Sequence, residues 1–250
     1  MQTHEALLRD FDKTAALAKR FLVERYGENG ADALYRDARA NYREILPQVS
    51  WVKGARAPVM NAFLGVTAQE IAVYRAVKAR GGTAPEAWEI CHEANRLRIQ
   101  AFPKWKRWLL ERFMFSGLVR RIARRREQKN ERVRAGDFEI RYLTSKGQDG
   151  GNDFDLGVDY VRCGNLELAK TLGAEAFAPY ICMSDIVLSD ALGWGLTRTQ
   201  TLADGCSHCD FRFKKGGETH ISSKTPEVQQ TIERIRRSSR NDPNEDSKRS

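Results

Sequence analysis

Apolar residues recur every three to four positions through the first half of the chain and every second position beyond residue 137. That change of period separates a helical part from a sheet. Leu7, Leu8, Phe11, Ala15, Leu17 and Leu22 share a helical stripe that Tyr26-Gly27 stops. A second run covers 31–46 and ends at Pro47, because the residue before a proline resists helical geometry. A third covers 58–78 and closes at Gly81-Gly82. Thr83 with Glu86 makes a capping box, with Pro85 in the first turn of a fourth helix that reaches residue 100. A fifth opens near Pro103 and carries Trp105, Trp108, Leu109, Phe113, Leu118 and Ile122, with Gly117 as a candidate break.

Phe138, Ile140 and Tyr142 alternate with polar residues as a half-buried strand requires, and so do Phe154, Leu156, Val158 and Tyr160 after a Gly-rich turn at 146–152. A short helix over 166–172 follows, then one from Pro179 to about 192. A strand over 194–202 turns through 203–207 into a last strand at 208–213. Strands and helices do not alternate regularly, so the expected class is α+β. A helical N-terminal half precedes an antiparallel sheet of about four strands with inserted helices. The divisions are 1–134 helical, 135–216 α+β, and a disordered polar tail over 217–250 with a transient helix at 226–237. The first two can form one compact domain.

The net charge of +9 lies in one place. From 104 to 134 there are twelve Lys and Arg minus three Glu, which is the whole excess. The sequence therefore encodes one basic helix rather than a basic surface, and no nucleic-acid recognition motif accompanies it. Lys104, Lys106, Arg107, Arg112, Arg120, Arg121, Arg124, Arg125 and Arg126 with the two tryptophans suit weak contact with an anionic membrane. The plainer reading is an amphipathic core helix with a solvated basic end. No apolar run reaches the ~20 residues of a spanning helix, and the first residues lack the pattern of a secretory signal. Five cysteines are too few for a disulfide scaffold of this length, so reduced thiols in a cytoplasmic protein are expected.

Candidate chemistry concentrates in 160–213, which holds four of the five cysteines. Cys182 and Asp185 stand three apart on a helix and share a face. Cys163 ends a strand, and Cys209 shares a strand side with Phe211 and Phe213. Arg198 in a pleated segment either faces water or holds a partner. Taken singly, each has a structural explanation. A cysteine in an apolar helix, Cys91 above all, is usually a small buried hydrophobe, Asp185 can decorate a helix, and Asp210 with Arg212 reads as a surface pair on an edge hairpin.

Together these residues resemble a known family. The order Arg162-Cys163, Gly173, Pro179, Cys182, Asp185, Arg198-Thr-Gln-Thr201, Gly205 and Cys209-Asp-Phe-Arg212 looks like the L-2-amino-thiazoline-4-carboxylic acid hydrolase family. The resemblance implies a hydrolase that opens a small carboxylate-bearing cyclic amidine, or a related C–N bond, giving a carbamoyl-cysteine and needing no cofactor. Cys182 is then the leading nucleophile, since the predicted helix start lowers a thiol pKa, and water activated by a carboxylate is the alternative attacking group. Asp185 or Glu175 holds a proton near the ring nitrogen. Cys163 and Cys209 complete the catalytic set, and Arg198 takes the substrate carboxylate with Thr199, Thr201 and Asp210 beside it.

Two rival functions use the same residues. Cys206 and Cys209 form a C-x-x-C that Cys163 and Cys182 can complete as a zinc–thiolate site, although the spacing lacks a second close pair. A ligand-binding or metal-thiolate sensor without turnover would keep the pocket and drop the chemistry. A homo-oligomer is compatible with either.

Overall fold

The computed structural model describes residues 3–144 and 154–240. Thr3 caps α1 (His4–Ile45) by accepting from the Ala6 N–H at 3.2 Å. Gly27 interrupts this helix with φ 68° and ψ 169°, so the expected stop at Tyr26-Gly27 divides α1 into two arms that fold back on each other, with the Phe11 and Tyr42 ring centres 5.3 Å apart and Arg39 Nε pairing with Asp12 Oδ1 at 2.7 Å. Pro47 falls in a 3₁₀ turn, Leu46–Gln48, that ends the second arm. α2 (Ala57–Lys78) and α3 (Ala84–Gln100) pack against α1 to complete the helical layer, and the Thr83–Glu86 capping box forms as expected. Buried residues cover much of α2, including Thr67, Gln69 and Glu70, because α1, α3 and the sheet side all press on it.

α4 (Lys104–Met114) and α5 (Gly117–Gln128) are separate helices, with Ser116 capping the second at the Val119 N–H. No residue of α4 is buried, which corrects the core-helix reading of the basic segment.

Among the described residues six strands form one sheet, ordered β1-β2-β3-β5-β4-β6. They are β1 (Val133–Ala135), β2 (Phe138–Leu143), β3 (Leu156–Arg162), β4 (Leu196–Arg198), β5 (Cys209–Phe213) and β6 (His220–Ile221). All pairs are antiparallel except β4 with β6, so the expected four-strand antiparallel sheet becomes a mixed one with two short strands added. The class remains α+β. Between β3 and β4 run α6 (Gly164–Thr171), α7 (Ala178–Ile181) and α8 (Ser184–Leu192). The single helix expected from Pro179 breaks at Cys182-Met183. The strand expected over 194–202 ends at Arg198 because the Asp210 carboxylate takes the Thr199 and Gln200 N–H groups at 2.9 and 2.8 Å.

The polar tail is corrected over 217–240. β6 joins the sheet, and α9 (Pro226–Arg240) buries Val228 and Ile232 at 0% and 1% exposure. Only a narrow apolar stripe was needed, and charge density in the sequence hid it. Residues 241–250 and the Gly-rich turn at 146–152 lie outside the described residues. One apolar cluster runs from Leu7 to Ile232, so helices and sheet share a core.

Strand alternation gives the sheet two unlike faces. Glu139, Arg141, Asp159 and Arg212 occupy one, where Arg212 Nη1 pairs with Asp159 Oδ1 at 2.9 Å. β5 is an interior strand, so the expected Asp210–Arg212 edge pair does not form. The other face turns toward the helices.

Candidate functional site

Between that inner sheet face and the helices lies a cavity of about 360 Å³. Alternate residues of β2, β3, β4 and β5 line it, Ile140, Tyr160, Leu196 and Phe211 among them. The opposite wall comes from α2, α4, α5, α7 and α8 through side chains such as Met60, Phe113, Val119 and Leu188.

Five of the nine expected site residues line this cavity: Cys163, Cys182, Asp185, Arg198 and Cys209. The period of two in β4 and β5 turns Arg198 and Cys209 inward, and the breaks before α6 and α8 bring the others to meet them. Arg198 is 2% exposed and holds a partner rather than facing water. Its Nη1 donates to the Cys182 carbonyl at 2.7 Å and pairs with Asp185 Oδ2. The guanidinium also lies 5.5 Å from the Phe211 ring centre. Among the described residues its Nε has no hydrogen-bond partner.

Asp185 keeps 30% of its side-chain surface accessible, and that surface belongs to the cavity wall rather than to open water. Burial raises its carboxyl to a pKa of about 6, with the Arg198 charge and hydrogen bond pulling back. The thiols behave otherwise than expected. Cys182 caps the C-terminal end of α7 and lies one residue before the Met183 N-cap of α8, outside that helix's first turn. Burial pushes its pKa well up, and Arg198 offsets only part of this. Cys209 is pushed up to about 12 by burial. Cys163 stands at the N-cap of α6; burial raises its pKa and the Leu166 and Asn165 N–H groups oppose the rise. All three are free thiols.

The other four expected residues lie outside the cavity wall. Glu175 is exposed on a 3₁₀ turn, Glu175–Phe177, with its ordinary solvent contact. Thr199 and Asp210 bond each other, Oγ1 donating to Oδ2 at 2.6 Å. Thr201 is buried against Asp204, whose N–H donates to its Oγ1 at 3.0 Å. These three brace the β4–β5 connection behind the cavity. Cys91 is a buried hydrophobe in the helical layer. Among the described residues no group of three or more His, Cys, Asp and Glu is set to hold a metal ion.

Sequence reasoning missed three groups. Asn165 Oδ1 and Trp194 Nε1 line the cavity and, like Arg198 Nε, have no partner among the described residues. Glu70 lies behind the site, 3% exposed, accepting at Oε1 from Ser184 Oγ at 2.6 Å and Asn95 Nδ2 at 2.9 Å. Burial raises its pKa to about 7. Its signal was a carboxylate in a helix among apolar neighbours, Ala68, Ile71 and Ala72.

An apolar chamber with one buried ion pair and unpartnered N–H donors suits a small ligand that carries both charges. The sequence model of the L-2-amino-thiazoline-4-carboxylic acid hydrolase family matches residues 62–213, a span from α2 through β5 that contains every cavity residue except Val59 and Met60. No curated protein and no solved structure matches the chain. The protein belongs to the L-2-amino-thiazoline-4-carboxylic acid hydrolase family.

Proposed function

We propose that the cavity is the active site of a hydrolase that opens a carboxylate-bearing cyclic amidine of the 2-amino-thiazoline type. The observation that carries this reading is the Arg198–Asp185 pair, buried in an otherwise apolar wall. A buried ion pair contributes little net stability and often less than apolar residues of similar volume would. A zwitterion explains it: a ring amidinium sits against Asp185, and the ring carboxylate takes the Nε edge of Arg198, which the Nη1 contacts leave open.

Water is the attacking group in this reading, because the raised pKa values of Cys182 and Cys209 leave little thiolate at neutral pH. Asp185 accepts a proton as the water oxygen bonds to the carbon that bears sulfur and two nitrogens. The tetrahedral carbon then collapses to a carbonyl as its hydroxyl proton leaves to solvent, matching the proton the amidinium brought in; the ring C–S bond breaks, and the proton held by Asp185 passes to sulfur. One water is added and a carbamoyl-cysteine leaves. Breaking C–S gives the N-carbamoyl isomer and keeps both C–N bonds; breaking the ring C–N bond, the expectation for a cyclic amidine, gives the S-carbamoyl isomer of the same mass, and a free-thiol assay on the product separates the two. A pKa of about 6 holds Asp185 as the base at neutral pH.

The test is incubation of the purified chain with 2-amino-thiazoline-4-carboxylate and mass detection of a product one water heavier. Asp185→Asn should lower kcat about 10²–10⁴-fold, the usual contribution of a positioned base. In the wild type, kcat/KM should rise with pH and level off above about 6. Tight binding with no turnover at any pH would overturn hydrolysis and leave a binding protein.

A further inference from the structure

The cavity is larger than its charged end requires. An apolar cavity of ~150 Å³ is filled by one benzene, and this one is about 360 Å³. The groups that recognise charge gather at the β4 and α8 side. From β4 the sheet runs through β5 and β3 to β2, three strand spacings or roughly 14 Å. At that far side the wall is Phe138 and Ile140 from β2 with Met60 and Phe63 from α2, and the one hydroxyl β2 adds, on Tyr142, accepts from Arg56 Nη1 at 3.5 Å. A ring with only a carboxylate leaves this half unfilled.

We propose that the substrate carries, besides its zwitterionic head, an apolar aryl or medium alkyl group of about benzene size that occupies the β2–α2 half. The assignment rests on the hydrolase reading for the identity of the head and on the cavity's own shape for the tail. Burying a Phe-sized group contributes enough to tighten binding roughly 10- to 100-fold. Each added methylene should tighten it about fourfold until the space is full.

Calorimetric titration of the full chain compares 2-amino-thiazoline-4-carboxylate with its 5-propyl and 5-phenyl derivatives. The expected result is tighter binding in that order, with the phenyl compound at least tenfold tighter than the parent. Ile140→Trp, which fills the far half, should erase that gain, with a thermal melt verifying that the variant folds. Equal or weaker binding of the phenyl compound overturns the proposal. Turnover is read separately. A graded gain in binding without hydrolysis sinks the reaction and keeps the substrate shape, whereas hydrolysis of the parent with no gain does the reverse.

A second inference stands on a different surface. α4 and α5 expose Trp105 at 65%, Trp108 at 55%, Leu109 at 47%, Leu118 at 62% and Ile122 at 41%. Cations lie among them: Arg112 stacks 5.3 Å from the Trp108 ring centre, and Arg121, Arg124 and Arg125 are exposed with no ion pair among the described residues. We infer that this face docks on an anionic bilayer surface, tryptophans at the headgroup level and guanidinium groups on phosphates. A second copy would set like charges face to face; the tryptophans could stack on bases, but Leu109, Leu118 and Ile122 beside them gain from burial among acyl chains and not from a nucleic acid. The same helices wall the cavity through Phe113, Met114 and Val119, so a docked protein would present that wall to the membrane.

Sedimentation with phosphatidylcholine vesicles, with and without 30% phosphatidylserine (a composition of about this order gives a strong surface potential), is the test. The protein should sediment with the anionic vesicles only, be released by high salt, and lose affinity at least tenfold in the Trp105→Ala/Trp108→Ala double variant. No vesicle binding, a dimer dispersed by the same variant, or poly(U) binding without vesicle binding would each overturn it.

Discussion

Replacing Glu70 by Gln should stabilise the protein at alkaline pH and leave it nearly unchanged at pH 5. Glu70 is 3% exposed, and burial is the main cause that lifts its pKa from 4.5 to about 7; the Ser184 and Asn95 hydrogen bonds lower it, and the Asp185 charge raises it again. A carboxyl whose folded pKa is raised favours the fold while it is protonated, and that contribution is lost as pH climbs through the folded value. The shift of about 2.5 units, at 1.36 kcal/mol each, makes the ionised form about 3 kcal/mol costly by pH 8 and less than about 1 kcal/mol costly at pH 5. Gln offers the same Oε1 acceptor to Ser184 and Asn95 and cannot ionise. At about 2–4 °C per kcal/mol for a chain of this size, the variant should melt roughly 6–12 °C above the wild type at pH 8.

The wild-type profile alone would mislead. His92 is buried, and its pKa is lowered to about 4, so its contribution is lost as pH falls through an overlapping range. The quantity to measure is the variant-minus-wild-type difference by thermal and urea unfolding from pH 5 to 8. A difference that stays constant across that range, or a Gln variant less stable at pH 8, would refute burial as the cause of Glu70's shift.

Other outcomes follow from single contacts. Cys182→Ala should keep turnover within about tenfold, since its protonated thiol is a poor nucleophile; complete loss in a folded variant would restore covalent catalysis. Ile232→Ala, at a position 1% exposed, should cost about 2–5 kcal/mol in urea unfolding, and no effect would mean that α9 is not part of the fold. Gly195→Ala should destabilise more than Gly173→Ala. Both positions have positive φ, but a Cβ at 195 would run into the Lys214 carbonyl, whereas nothing lies within 4 Å of one at 173. Equal melting losses would place the strain in φ alone.

The local grammar of the chain was legible. Gly27, Pro47, the Thr83–Glu86 box and the alternation in β2, β3 and β5 announced their elements because each depends on neighbours within a few residues. The family, too, could be recognised from the order of a few residues between Arg162 and Arg212. Other features were set by partners distant in sequence. β1 and β6 exist as strands because the sheet offers them edges, and α9 holds its place because Val228 and Ile232 meet a core built elsewhere. The site divides in the same way. Period two placed Arg198 and Cys209 on one face, but only the fold could bring Asp185 to Arg198, withdraw Thr199 and Asp210 into a brace, and leave Glu175 in solvent. Ionisation was decided there as well. A pKa depends on how much water the surrounding protein excludes, and that exclusion, absent from any short stretch of sequence, raises the Cys182 thiol against the expectation of a thiolate and lifts the Asp185 carboxyl to about 6.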